Sequence, residues 1–118
     1  MATTLARRRH SAFLAQSGRC YYCELPMWES SPDELSRAFG ISPAQLHRLK
    51  CTAEHLLARR DGGGHSAANI VAACLHCNQT RHRMRPAPDH ERYRALVERQ
   101  RMNGVWHRKP LVDRLAQG

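Results

Sequence analysis

The sequence predicts a small α+β domain, and three features carry that expectation. Two CxxC pairs, Cys20-Tyr21-Tyr22-Cys23 and Cys74-Leu75-His76-Cys77, supply four thiols at the spacing used by tetrahedral metal sites. Two strand-forming stretches, 51–58 and 69–73, flank a loop that holds Asp61 and three consecutive glycines, Gly62 to Gly64. Helical periodicity with capping signals fills the segments on either side. At 118 residues the chain fits one domain, 1–118, and its modest core would gain from a metal staple.

In chain order, residues 1–18 form an N-terminal helical unit, with the helix itself over 3–16. Leu5, Ala12 and Phe13 can share its apolar face, Arg7, Arg8 and Arg9 make a basic cluster, and Ser17-Gly18 stops it. The cluster either touches phosphate or is a solvated face. Cys20 and Cys23 follow as a knuckle, where Tyr21 and Tyr22 either pack on the core or hydrogen-bond at the surface. Residues 31–50 read as two helices. Ser31 is the expected N-cap, with Pro32 in the first turn and Glu34 completing a capping box. Leu35, Ala38 and Phe39 give that helix an apolar face and Gly40 ends it; Ser42 caps the second, with Pro43 first and Leu46 and Leu49 inward. The pair resembles a helix-turn-helix, but it lacks the third helix such a unit needs, which favours a helical hairpin inserted between the knuckles. The two strands and a helix over 78–85, ended by Pro86 and Pro88, make a central unit 51–85. Asp89 caps a helix over 89–102 with Tyr93, Leu96 and Val97 as its stripe. Residues 103–118, with Gly104, Pro110 and Gly118, read as a loosely ordered tail.

The net charge is +9, and of the 19 basic residues only Lys50 and Lys109 are lysines. Arginine forks bind phosphate through two bonds at once, so the bias favours a phosphate-backbone partner, although biased composition alone gives the same excess. Charge by itself leaves an anionic membrane surface open as well. No apolar run is long enough to span a bilayer and residues 1–18 lack a signal-peptide core, so a soluble cytoplasmic protein is expected. Five cysteines, an odd count without a secretory signal, argue for metal over disulfides.

The knuckles are separated by 50 residues, 24–73, which implies an insertion between them. A closed site of Cys20, Cys23, Cys74 and Cys77 leaves no position for water, so a zinc there braces the fold and takes no part in chemistry. Cys51, the odd thiol, reads as a small buried residue. The polar residues Glu54, His55, Asn69 and Asn78 then need another explanation, and phosphodiester hydrolysis offers one. That reaction needs a base such as histidine and a hard divalent ion held by oxygen ligands, which Glu54-His55 can divide between them. Neighbours on a strand point to opposite faces, so the division requires a twist or bend.

At these residues the sequence resembles the HNH endonuclease family, in the subclass whose ββα-metal (His-Me finger) core is braced by a four-cysteine zinc. The resemblance covers Cys20 to about Arg85. It implies that His55 is the general base and that Asn69 buttresses the loop and orients it. Glu54, in place of the family's usual Asp, and Asn78 hold a catalytic Mg²⁺ or another divalent ion, and Arg81 binds phosphate. The extra methylene of Glu54 would move the carboxylate outward. His65 is expected to reach phosphate or metal or else serve the loop, and His82 to contact nucleic acid or lie exposed. His76 is expected to point away from the zinc. The partner implied is DNA, duplex above all, with RNA open. The other reading is a non-catalytic zinc module that binds nucleic acid through the 31–50 helices.

Overall fold

A computed structural model of the chain describes residues 2–107 and 109–116, apart from the side chains of Arg37, Ala38, Lys109, Pro110, Arg114 and Ala116. The Ala38 side chain and Gly118, both named above, therefore lie outside the described residues.

Helix α1 (Thr4–Ala15) starts where the Thr3 hydroxyl accepts from the Ala6 amide at 3.0 Å, and stops where Ser17 and Gly18 turn left-handed with φ 56° and 75°. Its last turn is fastened to the sheet by one side chain. Gln16 accepts from the Ala72 amide at 2.9 Å and donates to the Ala72 carbonyl at 2.8 Å, pairing with the backbone as a strand would. Helices α2 (Asp33–Phe39) and α3 (Pro43–Arg48) occupy the 31–50 segment. Pro32, not Ser31, sits at the cap of α2, but the expected box chemistry survives. The Ser31 hydroxyl takes the Asp33 amide at 3.2 Å, and the Glu34 carboxylate gathers the amides of Glu29, Ser30 and Ser31. Gly40 makes the left-handed turn between the helices at φ 63°.

Strand β1 (Cys51–His55) pairs antiparallel with β2 (Ile70–Cys74), setting Cys51 opposite Cys74 and His55 opposite Ile70. Both strands differ from the sequence expectation, for one reason. Beyond His55 the chain bends, and the amides of Leu56 and Leu57 turn to the backbone and side-chain oxygens of Asn69, at 2.9 and 2.8 Å. Asn69 thereby leaves the strand and joins a 3₁₀ turn (Ala67–Asn69). A second such turn, Arg59–Asp61, lies in the loop. Helix α4 (Leu75–Arg83) begins before Asn78 because Cys74 Sγ caps it, accepting the Cys77 amide at 3.4 Å. Helix α5 (His90–Met102) starts at Asp89, which accepts the Arg92 amide at 2.9 Å.

Two apolar clusters result. One surrounds the four knuckle cysteines with Tyr22, Met27, Ala72, Ala73, Tyr93 and Val97. The other joins Leu35, Ile41, Leu46 and Leu49 to Leu111 and Leu115. Those last two residues belong to a helix, α6 (Lys109–Ala116), in the segment expected to be a loose tail. Spacing four residues apart puts both leucines on one face, and the inserted hairpin offers the apolar surface they cover. The third helix that 31–50 lacks locally thus comes from the far end of the chain. Among the described residues no helix is long and apolar enough to cross a membrane.

If α6 is docked, Leu111→Ala should lower the unfolding free energy by about 2–5 kcal/mol, as for other buried leucines. Urea unfolding followed by circular dichroism reads this directly; an unchanged midpoint would mean the tail is loose after all.

Candidate metal centre and active-site cleft

The Sγ atoms of Cys20, Cys23, Cys74 and Cys77 all lie within 4.8 Å of one another and all four residues are buried. The first pair comes from the turn after α1 and the second from the β2–α4 junction, so the cluster ties sequence-distant parts of the domain together. Backbone amides of Tyr22 and Cys74 point at Cys20 Sγ, at 3.4 and 3.3 Å. The Trp106 indole donates to Cys77 Sγ at 3.3 Å, and His107 Nε2 lies 3.3 Å from Cys23 Sγ. Sequence reasoning did not anticipate these two residues. Burial alone would raise the Cys20 thiol, but hydrogen bonds from Cys23, Cys74 and Cys77 outweigh it and hold Cys20 well down. Burial, then bonding to Cys20 and Cys23, pushes Cys74 and Cys77 well up. The cluster alone therefore favours a thiolate among thiols, and a divalent cation is what makes four thiolates compatible. These four cysteines can hold a structural metal such as zinc. Cys51 stands apart, its thiol pushed up to about 12 chiefly by burial, which leaves it unreactive. His76 is half-buried against Arg48, Trp106 and His107 and is not among the clustered ligands.

A cleft of about 300 Å³ opens beside the sheet, lined by Glu54, His55, Arg59, Arg60, Asn78 and His82, with two alanines. The bend after β1 resolves the strand-parity problem, since His55 is the last paired residue and both neighbours line this cleft. Glu54 is only 1% exposed, and its two oxygens have different surroundings. Oε2 accepts from the Tyr22 hydroxyl at 2.9 Å and from Arg81 Nη1 at 3.2 Å. Oε1 lies 2.9 Å from His82 Nε2. The longer Glu side chain is thus tethered by Tyr22 and Arg81 and does not swing outward. Asn78 donates through Nδ2 to Thr52 Oγ1 at 3.0 Å and to the Ala53 carbonyl at 3.2 Å, which fixes the amide and leaves Oδ1 for the cleft.

His55 Nε2 lies 2.9 Å from His65 Nδ1, and the His65 carbonyl accepts from Arg8 on α1 at 3.3 Å. Burial first, then electrostatic interaction with His65 and Arg59, lowers the His55 pKa below its ordinary value. Asn69 binds the loop at both ends. Its Nδ2 donates to the carbonyls of Leu57, at 3.1 Å, and Gly64, at 2.9 Å.

The fold gives three further predicted residues definite surroundings. Arg81 is 3% exposed and its guanidinium is consumed by Glu54, Tyr22 and the carbonyls of His55, Leu56 and Pro88, so it offers nothing to an incoming phosphate. His82 faces Glu54 in the cleft, its side chain partly exposed. His65 is turned onto His55 from the loop, the second of the two roles open to it in the sequence. The signal for His82 was present in the sequence: Asn78 and His82 are four apart on a helix and must share a face.

The family model described as HNH endonuclease matches residues 42–84. That span of the chain is similar to the HNH endonuclease family. Neither the curated proteins nor the solved structures yield a match. The matched span holds Glu54, His55, Asn69, Asn78 and the second knuckle, while Cys20, Cys23 and Tyr22 reach it from outside. A two-stranded antiparallel sheet followed by a helix, with a four-cysteine cluster at its base, fits the small α+β ββα-metal fold and its zinc-bearing subclass.

Arg81→Ala should cost about 3–5 kcal/mol of stability, because it strands a buried carboxylate. Thermal unfolding distinguishes this from a phosphate-binding role, in which DNA affinity would drop and the melting temperature would hold. Zinc analysis of the folded protein should return one ion per chain, lost together with the fold in Cys74→Ser and kept in Cys51→Ser. A folded sample free of metal would contradict the brace.

Proposed function

We propose that the protein is a metal-dependent endonuclease that hydrolyses DNA phosphodiester bonds, with His55 as the general base. The observation that carries this reading is the convergence of Glu54, Asn78 and His82 beside His55 in one cleft. A carboxylate oxygen, an amide oxygen and an imidazole nitrogen form a donor set suited to a hard or borderline divalent ion. Glu54 Oε1 and His82 Nε2, 2.9 Å apart, and Asn78 are the groups that would hold such an ion. A divalent ion there, Mg²⁺ foremost, supplies charge neutralisation at the phosphate and stabilises the leaving oxygen. Tyr22 and Arg81 hold Glu54 in place and disperse its buried charge. His55 Nε2 is paired with His65 Nδ1 at 2.9 Å, so in the tautomer that carries its hydrogen on Nε2 the free Nδ1 removes a proton from the attacking water. Asn69 fixes the loop that carries His65. Cys20, Cys23, Cys74 and Cys77 bind a structural zinc that stays outside the chemistry.

Duplex DNA is the proposed partner, on the strength of the +9 charge and its arginine bias. The unbridged cysteines favour the cytoplasm. A purely binding module reading nucleic acid through α2 and α3 would leave the convergence of Glu54, His55, Asn78 and His82 without a purpose.

His55→Ala should slow nicking of supercoiled plasmid by about 10² to 10⁴-fold, while fold and DNA binding persist. Cleavage at the wild-type rate would remove His55 from the base role. The pH profile gives an independent reading. A base works when unprotonated, so activity is full above the His55 pKa and lost as pH falls through it. Since that pKa is lowered, by burial and by His65 and Arg59, the acid limb should lie below the ordinary 6.5 and not above it.

A further inference from the structure

With Arg81 withdrawn into the core, the cleft still needs a cation for the phosphate that its chemistry presupposes. Most nearby guanidinium groups are already engaged. Arg8 is bonded to the His65 carbonyl, Arg48 to His76, Arg83 to Gln79, and Arg85 to the carbonyls of His82 and Met84. Arg59 and Arg60 differ from these. Both are exposed, both line the cleft with Glu54, His55, Asn78 and His82, and among the described residues neither side chain is hydrogen-bonded or ion-paired.

Their position is also rigidly specified. The 3₁₀ turn Arg59–Asp61 is closed by the amides of Asp61 and Gly63 on the Ala58 carbonyl, at 2.9 and 3.0 Å, and of Gly62 on the Arg59 carbonyl, at 3.0 Å. Gly62 takes a left-handed φ of 95°, and a Cβ on Gly63 would lie 1.7 Å from the Leu57 carbonyl oxygen. The glycine run therefore folds the loop back against the end of β1, and Asn69 pins both of its ends. This construction serves to hold the Arg59-Arg60 pair over the rim. The charge on Arg59 is felt at His55, whose pKa it helps to lower after burial and His65.

We propose that Arg59 and Arg60 are the phosphate clamp of the cleft, gripping the nucleic-acid backbone on either side of the bond presented to His55. An arginine fork matches the two non-bridging oxygens of a phosphodiester, which gives orientation as well as charge. The role deepens the nuclease reading and rests on it for its placement at the reacting bond, but the backbone grip can be measured without cleavage.

The test is equilibrium binding of a short DNA duplex across a salt series, in a His55→Ala background that leaves the duplex intact. Each phosphate contact removed should reduce the slope of log affinity against log salt by about 0.9. Arg59→Ala and Arg60→Ala should each flatten the slope by about that amount and the double variant by about twice it. Arg99→Ala, on the exposed face of α5, should leave it unchanged. With His55 intact, Arg59→Lys should preserve the slope yet slow plasmid nicking, because lysine keeps the charge and loses the fork. Both side chains are exposed, so melting temperatures should not move. An unchanged slope in the double variant overturns the clamp, and it does so even if the wild type nicks DNA efficiently. A flattened slope with a wild type that never nicks supports the backbone grip and rejects the nuclease reading instead.

Discussion

The four-sulfur junction is the constraint on which the rest of the domain depends. It joins the turn after α1 to the point where β2 becomes α4, across a gap that the 24–73 insertion would otherwise leave to weak apolar contacts. Each side of the junction delivers part of the cleft. The first knuckle carries Tyr22 between its cysteines and sets that hydroxyl on Glu54. The second fixes the start of α4, and with it the rotation that turns Asn78, Arg81 and His82 toward β1. Tyr93 closes the arrangement from α5, its hydroxyl on the Cys77 carbonyl at 2.6 Å and its ring edge-on to Tyr22. In a chain this small, such a brace supplies order that the modest core cannot supply alone.

Glu54 is the second constraint. A carboxylate buried to this degree is costly unless its charge and lone pairs are met, and Arg81 and Tyr22 meet one oxygen fully. The other oxygen is spared for His82 and the cleft. The two oxygens thus face different surroundings, one bound into the core and the other turned to His82 at the cleft. Arg81 repeats the economy at the next level, because its remaining bonds clamp the carbonyls of His55, Leu56 and Pro88 and so hold the bend that brings His55 to the cleft.

Local signals proved legible and long-range ones did not. Caps at Ser42 and Asp89, the stop at Gly40 and the cysteine pairs are readable because their physics lies within a few residues. Glu54-His55 and Asn78 could be singled out because their chemistry has no reason to recur in a plain zinc module. The burial of Arg81 was not legible for a physical reason: the resemblance implies phosphate, and only the fold shows the buried acid beside it. Spacing on α4 would have paired Asn78 with His82, but the same spacing does not say which face meets the sheet. Helix α6 was invisible since its leucines gain a partner only when the inserted hairpin is folded. Trp106 and His107 were missed likewise, reaching the sulfur cluster from a segment with no metal-binding pattern of its own.

On the function proposed above, a cleft braced by the four-cysteine site would hydrolyse phosphodiesters with a second, exchangeable divalent ion. The most direct test is nicking of supercoiled plasmid by the wild-type protein, with EDTA at a level that leaves the bound zinc and the circular dichroism unchanged. Cleavage should stop under EDTA and return in full when Mg²⁺ is restored. Cleavage that survives EDTA, or that appears with no divalent ion tried, would contradict the account.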